Sequence, residues 1–304
     1  MPWASRTARA WAALRAAPSR PAEPHPGPGS RGRLSVSIRV HLWLIQFMPD
    51  SALRSLFADL RFGGRRDHGG RPCFVAEGRI LVEDLLAWGR AGRAEVVAVL
   101  AEASQAGSVA ALMPSGAALL TATKAELEAL TGFPFHRGLL AAARVPVPRP
   151  EAELATAARL LVLPATADAE NLGQLLRTAA ALGLDGALLG PGPDPFSRRA
   201  VRVSMGASWK LPLWSVQDPW AALETWKAPG SEVVGAALPG SLPAAEWGPA
   251  PRTALVLGPE GSGLSATELE RCDRTVRIPM AEGVDSLNVA AAGAILMARM
   301  LGAV

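Results

Sequence analysis

Three short polar segments contain the residue types of this chain that could do chemistry. They cover Asn171–Arg177 (NLGQLLR), Gly258–Gly263 (GPEGSG), and a third stretch with Ile278–Met280 (IPM) followed by Ser286–Asn288 (SLN). Together they supply a guanidinium, a carboxylate, a hydroxyl and two carboxamides. Such groups can orient a hydroxyl or hold a polar ligand. Each segment also has an interpretation without function: a solvated helix arginine, a tight strand-to-helix turn, and a capped core helix.

The first segment is predicted to be an amphipathic helix. At about 100° per residue, the apolar residues between Leu172 and Leu182 share one side, and Arg177 lies on the polar side. Asn171 is the predicted N-cap, because asparagine accepts hydrogen bonds from the free N–H groups of a first turn. Gly183 is predicted to end the helix, since glycine adopts the left-handed conformation without strain.

The second segment is predicted to be a glycine-rich turn between a strand and a helix. A strand is predicted over Ala254–Leu257, and Ser265 with Glu268 has the spacing of a capping box. Gly258 and Gly263 match the glycine spacing of a phosphate loop. The residue that follows is leucine, however, where such a loop needs lysine. An NTP-binding loop is therefore disfavoured.

The third segment is predicted to join a strand over Val276–Ile278 to a helix over Ser286–Leu301. Ser286 is the predicted N-cap of that helix. Asn288 then falls in the first turn, where helix propensity gives asparagine no advantage. The small residues at 290–293 predict that another group packs very close to this helix.

Strands and helices alternate throughout the second half of the chain. Apolar runs of strand length occur at Leu160–Leu163, Ala187–Leu189, Val233–Leu238, Ala254–Leu257 and Val276–Ile278. Helical patterns separate these runs, so the sequence predicts an α/β fold with a parallel sheet over residues 153–304.

Residues 48–146 are predicted to form a small α/β domain of their own. A strand and a helix follow Cys73, a second strand covers Val96–Leu100, and Thr123–Glu126 has capping-box spacing. A proline-punctuated linker over 145–152 joins the two domains.

The charge of the chain is unevenly distributed. The net charge is +4, but residues 1–49 hold seven arginines and one acid, so the remainder carries −2. Residues 1–47 are predicted to be a disordered extension; an organellar targeting segment and a misread start before Met48 are alternatives. Bulk charge therefore gives no argument that the folded part binds nucleic acid.

Several classes of protein are disfavoured. No uncharged apolar run reaches the ~18–20 residues of a membrane span. Cys73 and Cys272 lie 199 positions apart and form no cluster with histidine, which disfavours a metal site and a disulfide framework. We expect a cytoplasmic protein without metal or membrane contact.

Taken together, the three segments resemble the SpoU/TrmH family of RNA 2′-O-ribose methyltransferases, part of the SPOUT superfamily. The family pattern is N-x-G-x-x-x-R, then L-G-x-E-x-x-G-L, then I-P-M followed by S-L-N-V. All three occur here in that order; Ile278 follows Gly258 by 20 positions and precedes Leu287 by nine. Residues 74–79 and 136–138 resemble the substrate-binding domain that precedes the catalytic domain in many members.

The resemblance implies a cofactor, an assembly and a set of roles. S-adenosylmethionine would bind in a trefoil knot of the C-terminal segments, and two subunits would build the site as a homodimer. The positions that match cofactor-binding residues are Leu257, Gly258, Ile278, Met280 and Leu287, and those that match catalytic or orienting residues are Asn171, Arg177, Glu260, Ser286 and Asn288. Arg177 would position the ribose hydroxyl and an RNA phosphate.

RNA binding is expected mainly from the first domain, with ribosomal RNA favoured over tRNA. The candidate RNA-binding residues are Arg65, Arg66 and Arg71 around the glycine-rich loop 62–70, and His136 with Arg137. Arg198, Arg199 and Arg202 form a third basic patch. Such charges bind the RNA backbone without reading its sequence, and a merely solvated surface is the alternative for each patch.

Two other functions remain as alternatives. A catalytically silent RNA-binding protein could keep the same fold, although the intact Arg177, Glu260, Ser286 and Asn288 argue against it. An NTPase or a dehydrogenase is disfavoured by the missing phosphate-loop lysine and by the lack of G-x-G-x-x-G after the first strand.

Overall fold

A computed structural model of the 304-residue chain describes residues 50–62, 64–135, 138–237, 241–284 and 286–304. These residues form two α/β units, each built on one sheet. The first unit covers residues 50–144 and the second covers residues 151–304. The extension predicted over residues 1–47 lies outside the described residues.

The first unit contains a five-stranded mixed sheet of order β1-β2-β5-β3-β4, in which only the β3–β4 pair is parallel. Its strands are β1 (Arg66–His68), β2 (Arg71–Glu77), β3 (Val96–Glu102), β4 (Ala118–Ala122) and β5 (Leu139–Arg144). Its helices are α1 (Asp50–Arg54), α2 (Arg79–Arg90), α3 (Ala106–Ala110) and α4 (Lys124–Thr131), with 3-10 turns at Ser55–Phe57, Leu60–Phe62 and Ala103–Gln105.

Local sequence signals account for much of this unit. The predicted strand and helix after Cys73 are confirmed as β2 and α2. The capping box of α4 is also confirmed, because the Thr123 side chain accepts from Glu126 N and the Glu126 carboxylate accepts from Thr123 N. The loop predicted over 62–70 is wrong in part, since it contains β1, which pairs antiparallel with β2.

The second unit contains a seven-stranded sheet in which every pair is parallel, in the order β10-β12-β9-β11-β6-β7-β8. Its strands are β6 (Arg159–Leu163), β7 (Gly186–Leu189), β8 (Leu213–Ser215), β9 (Ser231–Ala236), β10 (Leu242–Pro243), β11 (Arg252–Val256) and β12 (Arg274–Arg277). Its helices are α5 (Ala169–Leu182), α6 (Arg198–Val203), α7 (Ala207–Lys210), α8 (Pro219–Trp226), α9 (Ala266–Glu270) and α10 (Val289–Met300), with 3-10 turns at Glu151–Thr156 and Ala244–Glu246.

The predicted parallel α/β sheet is confirmed, and its strand order positions the loops that carry the motifs. Strand β11 lies between β9 and β6, so the ends of β6 and β11 are neighbours although about 90 residues separate them along the chain. Ligands of open parallel sheets bind where the strand order reverses, beyond the carboxyl ends of the strands. The trefoil knot stays a prediction.

Helices α5 and α10 cover one face of this sheet. Their buried side chains include Leu172, Leu175, Leu176, Leu296 and Met297. Each fully buried leucine stabilises the fold by about 1.5–3 kcal/mol. A Cβ at Gly293 would lie 2.9 Å from the Leu257 side chain. The close neighbour predicted for the small residues of α10 is therefore the core of the protein itself.

Aromatic and charged side chains hold the two units together. The Phe74 ring of β2 lies 5.4 Å from the rings of both Phe196 and Trp209, measured between centroids. Arg198 forms a 2.5 Å ion pair with Glu77, which is only 6% exposed. Arg198 thus serves the interface rather than the basic patch predicted at 198–202. None of the helices in the described ranges is both long enough and apolar enough to cross a lipid bilayer.

Candidate active site

One side chain from each of the three polar segments meets the other two in a closed ring of hydrogen bonds. Asn171 Nδ2 donates to Glu260 Oε2 at 2.5 Å. Asn288 Nδ2 donates to Glu260 Oε1 and to Asn171 Oδ1, both at 3.0 Å. The segments that the sequence singled out separately therefore form a single site beyond the carboxyl ends of β6 and β11.

The N-cap of α10 sets the orientation of the Asn288 carboxamide. Asn288 Oδ1 accepts from Ala290 N at 2.9 Å and from Ala291 N at 3.4 Å. The oxygen faces the helix, so the Nδ2 group must face Glu260 and Asn171. The prediction of Ser286 as the N-cap is wrong, because α10 begins at Val289 rather than at residue 286. Asn288, whose place in a first turn helix propensity did not explain, is itself the N-cap of α10.

The predicted N-cap of α5 is also wrong. Asp168 caps this helix, with its carboxylate accepting from Glu170 N at 3.1 Å and from Asn171 N at 3.4 Å. Asn171 therefore lies in the first turn, where its side chain is free to join the ring and is only 4% exposed. A buried carboxamide needs hydrogen-bond partners, and Glu260 and Asn288 provide them. Gly183 ends the helix in the left-handed conformation, as predicted.

A cavity of about 630 Å³ opens beside the ring, within the volume range of small-molecule sites. Its walls come from the turn after β11, the end of β12 and the first turns of α10. All five residues predicted to bind a cofactor line it: Leu257, Gly258, Ile278, Met280 and Leu287. Glu260, Ser286 and Asn288 line it too, whereas Asn171, the third member of the ring, lines a small adjoining gap instead.

The turn after β11 needs a glycine at its first position, Gly258, because its own backbone passes very close to that position. A Cβ at Gly258 would lie 2.5 Å from Leu264 N, a distance that real Cβ atoms do not adopt. Gly261 and Gly263 have positive φ values of 92° and 65°, which disfavour other residues. Ser265 and Glu268 then form the predicted capping box and begin α9.

The cavity has one formal charge of each sign among the described residues that line it. Glu260 supplies the negative charge, and Arg277, at the end of β12, supplies the positive one. Arg277 Nη1 donates to Ser241 O at 3.2 Å. Arg277 was not among the residues predicted from the sequence, although its position directly before the Ile278–Met280 motif was a usable signal.

Arg177 does not line this cavity. Its side chain is exposed on α5 and makes no hydrogen bond or ion pair with any described residue. Its charge is therefore available to a group outside this chain.

The candidate RNA-binding arginines have partners within the protein. Arg65 donates to both carboxylate oxygens of Asp194, at 2.7 and 3.0 Å. Arg71 donates to both oxygens of Glu95, at 3.1 and 2.8 Å, and Arg66 donates to a backbone carbonyl at 3.0 Å. His136 and Arg137 lie outside the described residues. RNA binding by these five residues stays a prediction.

The cysteines are not placed for nucleophilic chemistry. Cys73 is buried in the first unit. Cys272 is partly buried in the second unit, where a Cβ at Gly235 would lie 2.8 Å from the Cys272 Sγ. Burial raises the pKa of the Cys272 thiol to about 11, so it stays protonated at neutral pH. Across the described ranges, no group of three or more histidine, cysteine or acidic side chains is arranged to hold a metal ion.

Comparison with known proteins identifies the family. Residues 158–298 match the SpoU rRNA methylase family. An uncharacterized tRNA/rRNA methyltransferase of Mycobacterium bovis is 37% identical over 259 residues, which cover 81% of this chain and 88% of that protein. The 23S rRNA (guanosine(2553)-2′-O)-methyltransferase RlmP of Bacillus subtilis is 38% identical over 154 residues, which cover 50% of this chain and 62% of that protein.

A solved structure has the same fold. The AdoMet-bound rRNA methyltransferase from Sinorhizobium meliloti superimposes with a TM-score of 0.62 at 26% identity, covering 75% of this chain and 86% of that chain. The family resemblance noted in the sequence is thus confirmed, whereas the role of the first unit as a substrate-binding domain stays a prediction. By its motifs, its fold and its relatives, this chain belongs to the SpoU rRNA methylase family, a family of RNA methyltransferases.

Proposed function

We propose that this protein transfers a methyl group from S-adenosylmethionine to a ribose 2′-hydroxyl of structured RNA, with ribosomal RNA favoured over tRNA. The observation that carries the proposal is the hydrogen-bonded ring of Asn171, Glu260 and Asn288 beside a cavity lined by all five expected cofactor positions. The similarity to RlmP, which is named a 2′-O-methyltransferase, supports the ribose 2′-hydroxyl as the methylated group. The similarity to the AdoMet-bound S. meliloti structure supports S-adenosylmethionine as the methyl donor.

The cavity suits S-adenosylmethionine in size and chemistry. Leu257, Ile278 and Leu296 give it apolar walls, and the turn at 258–263 exposes backbone groups. Glu260 and Arg277 give it charges of opposite sign, which complement a ligand that carries both a cationic sulfonium and a carboxylate. When bound, S-adenosylmethionine supplies an electrophilic methyl group on its sulfonium sulfur.

The residues of the chain must hold the 2′-hydroxyl against that methyl group. The new bond forms from the 2′-oxygen to the methyl carbon, the sulfur–carbon bond breaks, and the hydroxyl proton leaves to solvent or to an RNA phosphate. Arg177 presents a guanidinium, which has five N–H donors and no acceptor, and it therefore positions a phosphate and the hydroxyl as a donor. Most of the rate enhancement then comes from positioning.

A second copy of the chain supplies the missing arginine in this proposal. Arg177 lies outside the cavity of its own chain and has no partner among the described residues. In a homodimer, Arg177 of one subunit would reach the ring of the other. The ring would orient the ribose while its Glu260 stays engaged by two carboxamides.

Transfer of labelled methyl groups tests the reaction. The full-length protein is incubated with methyl-labelled S-adenosylmethionine and total RNA from cells that lack the gene, and the RNA is digested to nucleosides. We expect label in 2′-O-methyl nucleosides. Label on a base would contradict the ribose assignment, and RNA binding without any transfer would support the silent RNA-binding alternative.

Mixing two inactive variants tests the shared site. We expect Arg177→Ala and Glu260→Ala to be inactive alone, and to recover about a quarter of the wild-type rate after their subunits are exchanged, because half of the random dimers contain one intact composite site. If different affinity tags on the two variants show that their subunits exchange and the mixture is still inactive, Arg177 does not act on the other subunit.

A further inference from the structure

A groove at the junction of the two units is not used by the site described above. It has a volume of about 300 Å³ and lies beyond the carboxyl ends of β7 and β8. Arg65 of the first unit and the loop 190–195 of the second unit line it. The carboxyl edge of a parallel sheet is where such folds bind ligands.

The groove and the cofactor cavity are related through shared lining residues. A narrow gap between them is lined by Thr166, Asn171 and Glu260. Thr166 also lines the groove, and Gly258 and Glu260 also line the cavity. Groove, gap and cavity thus form a row along one edge of the sheet, with the hydrogen-bonded ring between the two larger spaces.

The groove offers hydrogen-bonding groups but little net charge. Asp194 holds the Arg65 guanidinium through two hydrogen bonds, at 2.7 and 3.0 Å, so the pair is neutral overall. The side chains of Thr166, Ser215 and Gln217 make no hydrogen bond with any other residue that the structure describes. They present free donors and acceptors to the groove.

The apolar lining of the groove includes the rings of Pro191, Pro193 and Pro195. Apolar rings beside neutral donors and acceptors fit a nucleobase, whose faces stack and whose edges hydrogen-bond. A phosphate would need uncompensated positive charge, which the Arg65–Asp194 pair does not provide.

We propose that this groove receives the unstacked base of a nucleotide that neighbours the methylated one in the RNA. The strand would then run along the sheet edge from the cavity toward the first unit, with Gln217 and Ser215 on the edge of the base. Sequence-specific recognition of RNA uses such splayed bases. This inference rests on the proposed ribose methylation and assigns its site of RNA selection.

Filling the groove tests the inference. Ser215 is exposed at the end of edge strand β8, so Ser215→Trp blocks the groove without entering the core. We expect kcat/KM for RNA to fall about tenfold, the scale of one lost stacked base. The Kd for S-adenosylmethionine and the Tm should stay unchanged. Thr225→Trp, at an exposed position of α8 outside the groove, is the matched control and should leave kcat/KM unaltered.

A second variant keeps the test decisive if Ser215→Trp lowers the Tm. Gln217→Ala removes only the free carboxamide and should raise the KM for RNA about fivefold. Unchanged RNA kinetics in both variants would overturn the groove assignment while wild-type methylation continues. Absence of ribose methylation by the wild-type protein would instead refute the proposed function.

Salt dependence separates a base from a phosphate. Each phosphate contact of a single strand contributes about 0.7 to the slope of log affinity against log salt. Blocking a base site should leave that slope unaltered between about 50 and 200 mM salt. A lower slope for Ser215→Trp would mean that the groove holds a phosphate, and the base assignment would be wrong.

Discussion

The polar ring of the second unit was predicted to take part in catalysis, and the basic residues of the first unit were predicted to bind RNA. Their side chains are engaged in different ways. Asn171, Glu260 and Asn288 come from three distant segments and bond to one another beside a cavity. Arg65 and Arg71 bond to carboxylates within the protein.

The difference shows which sequence features are specific. The ring residues belong to three segments whose glycines, spacing and order along the chain indicate the same fold. The agreement of these separate signals supports the assignment. A cluster of arginines does not constrain the fold or the function, because an exposed guanidinium can pair with any nearby carboxylate. Such an ion pair contributes little to the free energy of folding. Local charge density is therefore weak support for RNA binding.

Arg177→Ala should give the largest effect on the ring side of this comparison. We expect the methyl-transfer rate to fall by about 10³, within the range for losing a positioned polar catalyst. The Tm and the Kd for S-adenosylmethionine should not change, because the exposed Arg177 side chain makes no hydrogen bond or ion pair with a described residue and does not line the cavity. Gln174→Ala, also exposed on α5, is the control; a rate within twofold of wild type would remove Arg177 from the mechanism.

Gly258→Val should disrupt the turn that lines the cavity. A Cβ there would lie 2.5 Å from Leu264 N, so the backbone must move and the affinity for S-adenosylmethionine should fall about 100-fold, as overpacking costs predict. Calorimetric titration measures this. Gly248→Val is the matched control, because a Cβ at Gly248 would meet open space, with no described atom within 4 Å. Equal affinity for both variants would show that the turn does not hold the ligand.

Glu260→Ala should weaken the ring itself. The substitution removes the acceptor of Asn171 Nδ2 and one acceptor of Asn288. Leaving a buried donor without a partner costs about 1–3 kcal/mol, so we expect the free energy of unfolding to drop by about 2 kcal/mol in urea denaturation. Glu270→Ala, an acid of α9, should change it little. Equal stability of the two variants would mean that the ring contributes nothing to folding.

Arg71→Ala should have the smallest effect. Arg71 and Glu95 are each 54% exposed and form an ion pair at 2.8 Å, and the Arg71 guanidinium lowers the pKa of the Glu95 carboxyl. Because Arg71 is already engaged, its removal should weaken RNA binding by no more than about threefold in anisotropy titrations. Glu95→Ala frees Arg71 and should strengthen binding. A loss of RNA affinity above tenfold for Arg71→Ala would show instead that the basic residues around the loop 62–70 are a main contact for RNA.

Much of the site was predictable because its signals are local. The turn after β11, the capping boxes at Thr123 and Ser265 and the left-handed Gly183 all depend on residues within six positions of one another. The N-caps of α5 and α10 were predicted wrongly because two neighbouring polar residues could each serve. Packing decided which residue caps each helix. It buries Asn171, so that Asp168 caps α5, and it places Asn288, the cap of α10, in hydrogen-bond contact with Asn171.

The sequence alone determined the alternation of strands and helices, the three segments and the family they indicate, since these follow from periodicity and from residue types needed by short stretches of backbone. Only the tertiary structure decided that β11 inserts beside β6, that the ring closes between residues 89 and 117 positions apart, and that Arg65 pairs with Asp194 across 129 positions. Such contacts depend on how whole elements pack, and no local pattern contains that information.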